Sequence, residues 1–144
     1  MDLSRLIPQF RQPRPQLLTG GQPEPEAWPA LAKAGVATVV NLRPASETPG
    51  RDEAREVRAA GLTYINLPID GPDKLGPNQV GALWQALESA EGKVLVHCGT
   101  GNRCGALLAL AEAWHRGRSP EEAVEFGRQA GLVGLEPAVR SLLK

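Results

Sequence analysis

The chain has 144 residues, of which 42% are hydrophobic and 22% charged, and this fits one globular domain of ordinary size. Its 16 basic and 16 acidic side chains cancel to a formal charge of zero, which excludes a broad electrostatic surface for nucleic acid or an anionic membrane. No apolar run reaches the roughly 20 residues of a membrane span, and residues 1–12 lack the apolar stretch of a secretion signal. We therefore expect a cytoplasmic protein.

The beginning of the chain is rich in proline, and residues 1–16 are predicted to form an irregular N-terminal arm. A single domain over residues 17–144 is predicted to follow. Its first strand is expected at 17–19, and its first helix at 26–34, where Pro25 precedes the helix and Gly35 ends it.

The rest of the chain alternates between strand and helix patterns. Short apolar runs rich in β-branched residues predict buried strands at 36–42, 62–67 and 93–97. Helical patterns cover 51–60, 80–91, 104–115 and 135–143, and a capping box at Ser119 begins another helix. This order predicts an α/β fold with a central, mostly parallel sheet of four to five strands flanked by helices.

One loop between a buried strand and a buried helix combines a cysteine with glycines and an arginine. It reads Cys98-Gly99-Thr100-Gly101-Asn102-Arg103-Cys104. In α/β proteins, ligands bind where the carboxyl ends of strands lead into helices. Glycines let backbone N–H groups converge on an anion, and the N-terminus of the helix adds a positive field. We expect an oxyanion-binding loop formed by Gly99, Thr100, Gly101, Asn102, Arg103 and Cys104.

The same field would act on the Cys98 thiol. A thiol with an ordinary pKa is only about 3% thiolate at pH 7, but helix N-termini and cations lower reactive cysteines to a pKa of roughly 3.5–7.5. Cys98 is therefore a candidate nucleophile, and Arg103 supplies a planar fork for oxyanions. The alternative is that Cys98 only packs in the core, as many strand-end cysteines do.

The loop from His97 to Arg103 resembles the phosphate-binding loop of cysteine-dependent phosphatases, the superfamily of tyrosine and dual-specificity phosphatases. Gly20-Gly21-Gln22-Pro23 and the segments 35–43, 64–70 and 94–103 are similar to a small bacterial phosphatase-like family. Its members occur alone or fused to β-lactamase-fold hydrolases. The resemblance covers residues 17–117 and implies a dual-specificity-phosphatase-like fold.

The resemblance also implies a mechanism. Cys98 would attack phosphorus to form a phosphocysteine, while Arg103 and the loop amides bind the phosphoryl oxygens. An aspartate on the loop after the preceding strand would protonate the leaving group; Asp70 matches that position best, and Asp73 is the alternative. The implied substrate is a phosphorylated small molecule or a phosphoprotein, with no cofactor, metal, nucleic acid or membrane involved. The physiological substrate and the oligomeric state stay open.

Two features depart from the phosphatase superfamily. Four residues separate Cys98 from Arg103, one fewer than in those enzymes, and Cys104 stands where a serine or threonine usually assists the departing thiolate. The shorter loop is typical of rhodanese-like sulfurtransferases, which would carry a persulfide on Cys98, although the upstream segments typical of rhodaneses are missing. A non-catalytic oxyanion-binding module is the third alternative.

Four further residues are candidates for supporting roles. If the loop folds back, Cys104 would come within disulfide range of Cys98 and act as a redox partner against overoxidation. Arg43 and Glu47 follow the 36–42 strand, so they are expected near the same rim, either as an anion contact or as an ion pair. His97 is expected to orient the loop by hydrogen bonding rather than to transfer protons.

Overall fold

The structure is a computed structural model that describes residues 2–144. Over this range a single sheet is formed by β1 (Arg11–Arg14), β2 (Leu17–Gly20), β3 (Val36–Asn41), β4 (Thr63–Asn66) and β5 (Lys93–His97). The strands lie in the order β1-β2-β5-β3-β4, with β1 antiparallel to β2 and the other neighbours parallel. The prediction of an α/β fold around a mostly parallel sheet is confirmed.

The helices of the described chain are α1 (Ala27–Lys33), α2 (Glu53–Ala59), α3 (Pro77–Ser89), α4 (Asn102–Arg116), α5 (Pro120–Gln129) and α6 (Glu136–Leu142). Helix α4 begins at Asn102 rather than at the predicted Cys104, because Gly101 adopts a left-handed φ of 99° and turns the chain directly into the helix. The capping box predicted at Ser119 is present at the start of α5. Within residues 2–144, no helix has both the length and the apolar character required to cross a membrane.

Both faces of the sheet are covered. Side chains that alternate along the strands point to opposite faces, so each strand contributes to two core layers. One layer lies under α3, α4, α5 and α6 and includes Leu17, Val40, Val94 and Val96. The other lies under α1 and α2 and includes Leu18, Val36, Val39 and Leu95. Burial on both faces explains why these strands read as continuous apolar runs.

The N-terminal arm, predicted as irregular over residues 1–16, contains regular structure. A 3-10 turn covers Leu3–Arg5, and Arg11–Arg14 forms the edge strand β1. Pro13 is tolerated there because an edge strand has N–H groups that need no partner in the sheet. Arg14 pairs with the buried carboxylate of Glu112 on α4, and its guanidinium carbon lies 4.1 Å from the ring centroid of Phe126. Met1 lies outside the described residues.

Candidate active site

The predicted oxyanion loop leaves β5 at the carboxyl edge of the sheet and enters α4. Cys98 is the first residue after β5 and is only 1% exposed. Its backbone N–H donates to the Gly20 carbonyl of the neighbouring strand at 3.1 Å, which fixes the start of the loop to the sheet. Gly101, with its left-handed φ, then turns the chain so that its own N–H donates to Cys98 Sγ at 3.1 Å.

Cys98 and Cys104 lie side by side, with their Sγ atoms 3.7 Å apart. The hydrogen bond from the Cys104 thiol, followed by those from the N–H groups of Cys104, Thr100 and Gly101, lowers the pKa of Cys98 to about 4. Burial raises the pKa of Cys104 well above its ordinary value. The pair therefore holds a thiolate on Cys98 and a protonated thiol on Cys104 at neutral pH.

The Arg103 guanidinium is held by two acceptors from other loops. Nη1 and Nη2 each donate to one carboxylate oxygen of Glu47 at 2.9 Å, and Nη1 also donates to the Ile69 carbonyl at 2.9 Å. These bonds leave Nε–H and the second N–H of Nη2, which lie along one edge of the planar group. The hydrogen bond to Glu47, and after it the charge of the Cys98 thiolate, raises the pKa of Arg103. A Cβ on Gly99 would lie 3.5 Å from Nη2, so this nitrogen lies beside the loop.

Glu47 also binds Arg43, so the structure shows the ion pair that was one of the two roles predicted for these residues. Arg43 Nε donates to Glu47 Oε1 at 3.0 Å, and Arg43 Nη2 donates to the Glu47 carbonyl at 3.1 Å. The hydrogen bond from Arg103 is the main reason that the pKa of Glu47 lies below its ordinary range. The contact between Glu47 and Arg103 was missed by sequence reasoning, because no periodic pattern marks the short 3-10 turn Ala45–Glu47.

The two candidate acids lie in different surroundings. Asp70 is exposed and lines a depression of about 250 Å³ together with Arg103 and Leu135. It follows Ile69, whose carbonyl holds Arg103. Asp73 lies on the 3-10 turn Pro72–Lys74, is also exposed, and does not line this depression. Of the two aspartates, the structure brings Asp70 to the arginine side of the site.

His97 is fully buried, and its side chain is directed towards α2. Its Nε2 atom lies 2.6 Å from Glu53 Oε2, in the first turn of that helix. The other carboxylate oxygen of Glu53 accepts a hydrogen bond from Gln22 Nε2 at 2.7 Å. A carboxylate has no proton to give, so His97 Nε2 is the donor in this contact.

The back of the loop packs against the turn between α5 and α6. Asn102 Oδ1 accepts hydrogen bonds from the N–H groups of Val133 at 2.8 Å and Leu135 at 3.3 Å. Gly105 lies so close to this turn that an added Cβ would be 2.2 Å from the Leu132 nitrogen. Sequence reasoning assigned Asn102 to the loop through its backbone, and it missed the side-chain contacts because the turn is about 30 residues away in sequence.

Comparison with known proteins identifies a family whose model matches most of this chain. The family model for the phosphatase-like domain of the beta-lactamase hydrolase-like proteins matches residues 9–115. Two beta-lactamase hydrolase-like proteins align with 81% of this chain, one from Agrobacterium fabrum at 32% identity and one from Xylella fastidiosa at 36% identity. The chain spans 28% of the length of these relatives.

Solved structures show the same architecture. A DUF442 protein from Shewanella putrefaciens CN-32 is 27% identical, with a TM-score of 0.73 over 97% of this chain and 93% of its own. TpbA of P. aeruginosa, solved in complex with pTyr, is 21% identical, with a TM-score of 0.71 over 92% of this chain and 81% of its own. These likenesses confirm the predicted dual-specificity-phosphatase-like fold.

Proposed function

Because the chain belongs to the phosphatase-like domain family of the beta-lactamase hydrolase-like proteins, we propose that it is a cysteine-dependent phosphomonoester hydrolase. Its substrate is a phosphorylated small molecule or a phosphoprotein. The observation that carries this proposal is the Cys98 sulfur, whose pKa is lowered to about 4, mainly by the Cys104 thiol hydrogen bond. Arg103 Nη2 lies beside the loop, and the charge of the Cys98 thiolate raises the pKa of Arg103. An oxyanion bound to the Nε–Nη2 edge would therefore have its central atom beside the nucleophile.

In the first step, Cys98 Sγ attacks phosphorus, and the S–P bond forms as the P–O bond to the leaving group breaks. Arg103 and the N–H groups of residues 99–104 stabilise the charge on the equatorial oxygens. Asp70 donates its proton to the leaving oxygen as general acid. The position of Asp70 in the depression beside Arg103 supports this role over Asp73.

In the second step, water attacks the phosphocysteine and gives its proton to the Asp70 carboxylate, while the S–P bond breaks and the thiolate is regenerated. The Cys104 thiol, 3.7 Å from Cys98 Sγ, donates a hydrogen bond to the departing sulfur. This donor replaces the serine or threonine hydroxyl of the phosphatases that the loop resembles. The substitution at this position therefore keeps a donor for the leaving thiolate.

The length of the loop favours sulfur transfer as the second candidate. The six residues from Cys98 to Arg103 are typical of rhodanese-like sulfurtransferases. In that reaction the Cys98 thiolate takes the outer sulfur of thiosulfate as a persulfide and releases sulfite. Arg103 would bind the sulfonate oxygens, but Asp70 would have no proton to transfer. A non-catalytic oxyanion-binding module would bind phosphate and turn over neither substrate.

Hydrolysis of p-nitrophenyl phosphate by the reduced protein tests the proposal. We expect turnover that is lost in Cys98→Ser and falls about 100-fold or more in Arg103→Lys, because lysine lacks the planar fork. Arg128→Lys, on α5, is the matched control and should retain activity. A thiosulfate–cyanide assay on the same protein separates the candidates: sulfur transfer without phosphate hydrolysis would contradict the phosphatase proposal.

A further inference from the structure

A continuous series of hydrogen bonds joins the two ends of the loop by a path outside it. The series, here called the Gln22 relay, consists of His97, Glu53, Gln22, Arg43, Glu47 and Arg103. Its bonds are 2.6 Å from His97 to Glu53, 2.7 Å from Gln22 to Glu53, and 3.1 Å from Arg43 to Gln22. The mechanism above uses only the last member, so the other five residues have no assigned role.

Gln22 is the one uncharged link between the carboxylate of Glu53 and the guanidinium of Arg43. Its Nε2 donates to Glu53, and its Oε1 accepts from Arg43 Nη1. A carboxylate here would face Glu53, an ammonium would face Arg43, and an alkyl chain would bind neither. The side-chain amide, which is neutral and both donates and accepts, completes both bonds. The neighbouring Gly21 lies against the loop itself, since an added Cβ would be 2.6 Å from the Gly99 carbonyl.

The position of Glu47 depends on this link. Glu47 is exposed and lies on a 3-10 turn that buries none of its residues. Its carboxylate is bound by Arg43 and Arg103. The backbone of Arg43 is fixed by Asn41 and Asn66, but within residues 2–144 its guanidinium binds only Glu47 and Gln22. Without Gln22, the Arg43–Glu47 contact would be an exposed ion pair, which holds side chains weakly.

We propose that Gln22 is a positioning residue for Arg103. It ties Arg43 to Glu53, and Glu53 is anchored in turn by the buried His97. Arg43 then holds Glu47 on the end of the Arg103 guanidinium, which leaves the Nε–Nη2 edge unoccupied by Glu47 and available for substrate oxygens. This inference rests on the proposed function, because it deepens the role of Arg103 in binding a phosphoryl group.

Exchanging the side chains of the adjacent members Glu53 and Gln22 tests the relay. Gln22→Met keeps the length of the side chain and removes both bonds, and Gln22→Glu places two carboxylates together. In the double variant Gln22→Glu/Glu53→Gln, the new carboxylate accepts from Arg43 and from the new amide, while the amide oxygen accepts from His97. The full series is then restored with its charges exchanged. Gln85→Met and Gln85→Glu are matched controls, because Gln85 is exposed on α3 and, in the described part of the chain, its side chain bonds only to Ser89.

Two measurements are made on each variant: the Nε–H resonance of Arg103 by NMR, assigned with Arg103→Lys, and the dissociation constant of inorganic phosphate by calorimetry. We expect both Gln22 single variants to shift the resonance and to weaken phosphate binding about tenfold, because a displaced guanidinium no longer presents its edge. The double variant should recover both readouts. The Gln85 controls should change neither.

The result that overturns the inference is an unchanged Arg103 resonance and phosphate affinity in Gln22→Met, or a double variant no better than Gln22→Glu. If Gln22→Met does not fold, the comparison of Gln22→Glu with the double variant decides. If the wild-type protein binds no phosphate, that result would contradict the proposed function instead. The Arg103 resonance would still decide the relay in that case, so the two failures are distinguishable.

Discussion

Cys98 and Cys104 have the same side chain, but Cys98 favours the thiolate and Cys104 favours the protonated thiol. Cys98 receives hydrogen bonds from the Cys104 thiol and from backbone N–H groups, whereas Cys104 is fully enclosed and donates. The loop thus uses backbone amides and one thiol to stabilise the thiolate that we propose as the nucleophile. The adjacent His97 bonds to Glu53.

The pH dependence of alkylation tests this assignment. Because the Cys104 hydrogen bond lowers the pKa of Cys98 to about 4, its reaction with iodoacetamide should stay constant as pH falls from neutral and decline only around that value. Cys104→Ala should raise the midpoint, because it removes the largest stabilising contact of the thiolate. Cys104→Ser, which keeps a donor, is the control and should stay closer to wild type. A wild-type midpoint near the ordinary value of about 8.5 would contradict the assignment.

The same pair predicts a response to oxidation. Hydrogen peroxide would convert the Cys98 thiolate to a sulfenic acid, and the Cys104 thiol, 3.7 Å away, would displace water to form a disulfide. Mass spectrometry should show the loss of both free thiols, reversed by dithiothreitol. In Cys104→Ser, oxidation should continue to the sulfinic acid. Loss of one thiol alone in the wild type would contradict this role for Cys104.

Asp70 is predicted to supply the proton that the leaving oxygen takes up during turnover of p-nitrophenyl phosphate. Asp70→Asn should reduce kcat about 100-fold, because the amide cannot act as a general acid. Asp73→Asn is the matched control, since Asp73 is exposed on the same connection but lies outside the depression. The opposite pattern would assign the acid to Asp73.

At the scale of elements, the loop is clamped between β2 and the turn that joins α5 to α6. The Cys98 N–H donates to the Gly20 carbonyl of β2, and Asn102 Oδ1 accepts from the Val133 N–H of the turn. The close approach of α4 to the turn requires Gly105, because an added Cβ would meet backbone 2.2 Å away. The position of the oxyanion loop therefore depends on helix packing as well as on its own glycines.

Gly105→Ala is accordingly predicted to destabilise the protein by about 3 kcal/mol or more, because neither backbone can yield to the extra methyl group. Gly81→Ala, in the interior of α3, is the matched control: an added Cβ meets nothing within 4 Å. It should stabilise the protein by roughly 0.5–1 kcal/mol, because alanine favours the helix. Urea unfolding measures the change in stability in both variants. Similar effects of the two changes would contradict the requirement for glycine where α4 approaches the turn.

At the scale of the whole molecule, the topology brings the site together. Strands β3, β4 and β5 are parallel neighbours, so the connections that follow them meet at one edge of the sheet. They carry Glu47, Asp70 and Cys98, one on each connection. The strand order could not be read from the sequence, but parallel strands were enough to predict that these residues approach one another.

Other parts of the fold depend on contacts that no local pattern encodes. Strand β1 is short and contains Pro13 with two arginines, so its sequence does not read as a strand. It is held by the Arg14–Glu112 pair, whose members are 98 residues apart. The Glu47–Arg103 pair and the Gln22 relay likewise join segments distant in sequence. The oxyanion loop was predictable because its glycines, cysteine and arginine lie within a single strand–helix connection.

The central claim is that Cys98 carries the phosphoryl group during turnover. The most direct test is mass spectrometry of reduced protein quenched during turnover of p-nitrophenyl phosphate, with the Asp70→Asn variant used to slow hydrolysis of the intermediate. We predict one phosphoryl adduct on the peptide that contains Cys98, and no adduct in Cys98→Ser. Hydrolysis that proceeds with no adduct on Cys98, or persists in Cys98→Ser, would contradict the account.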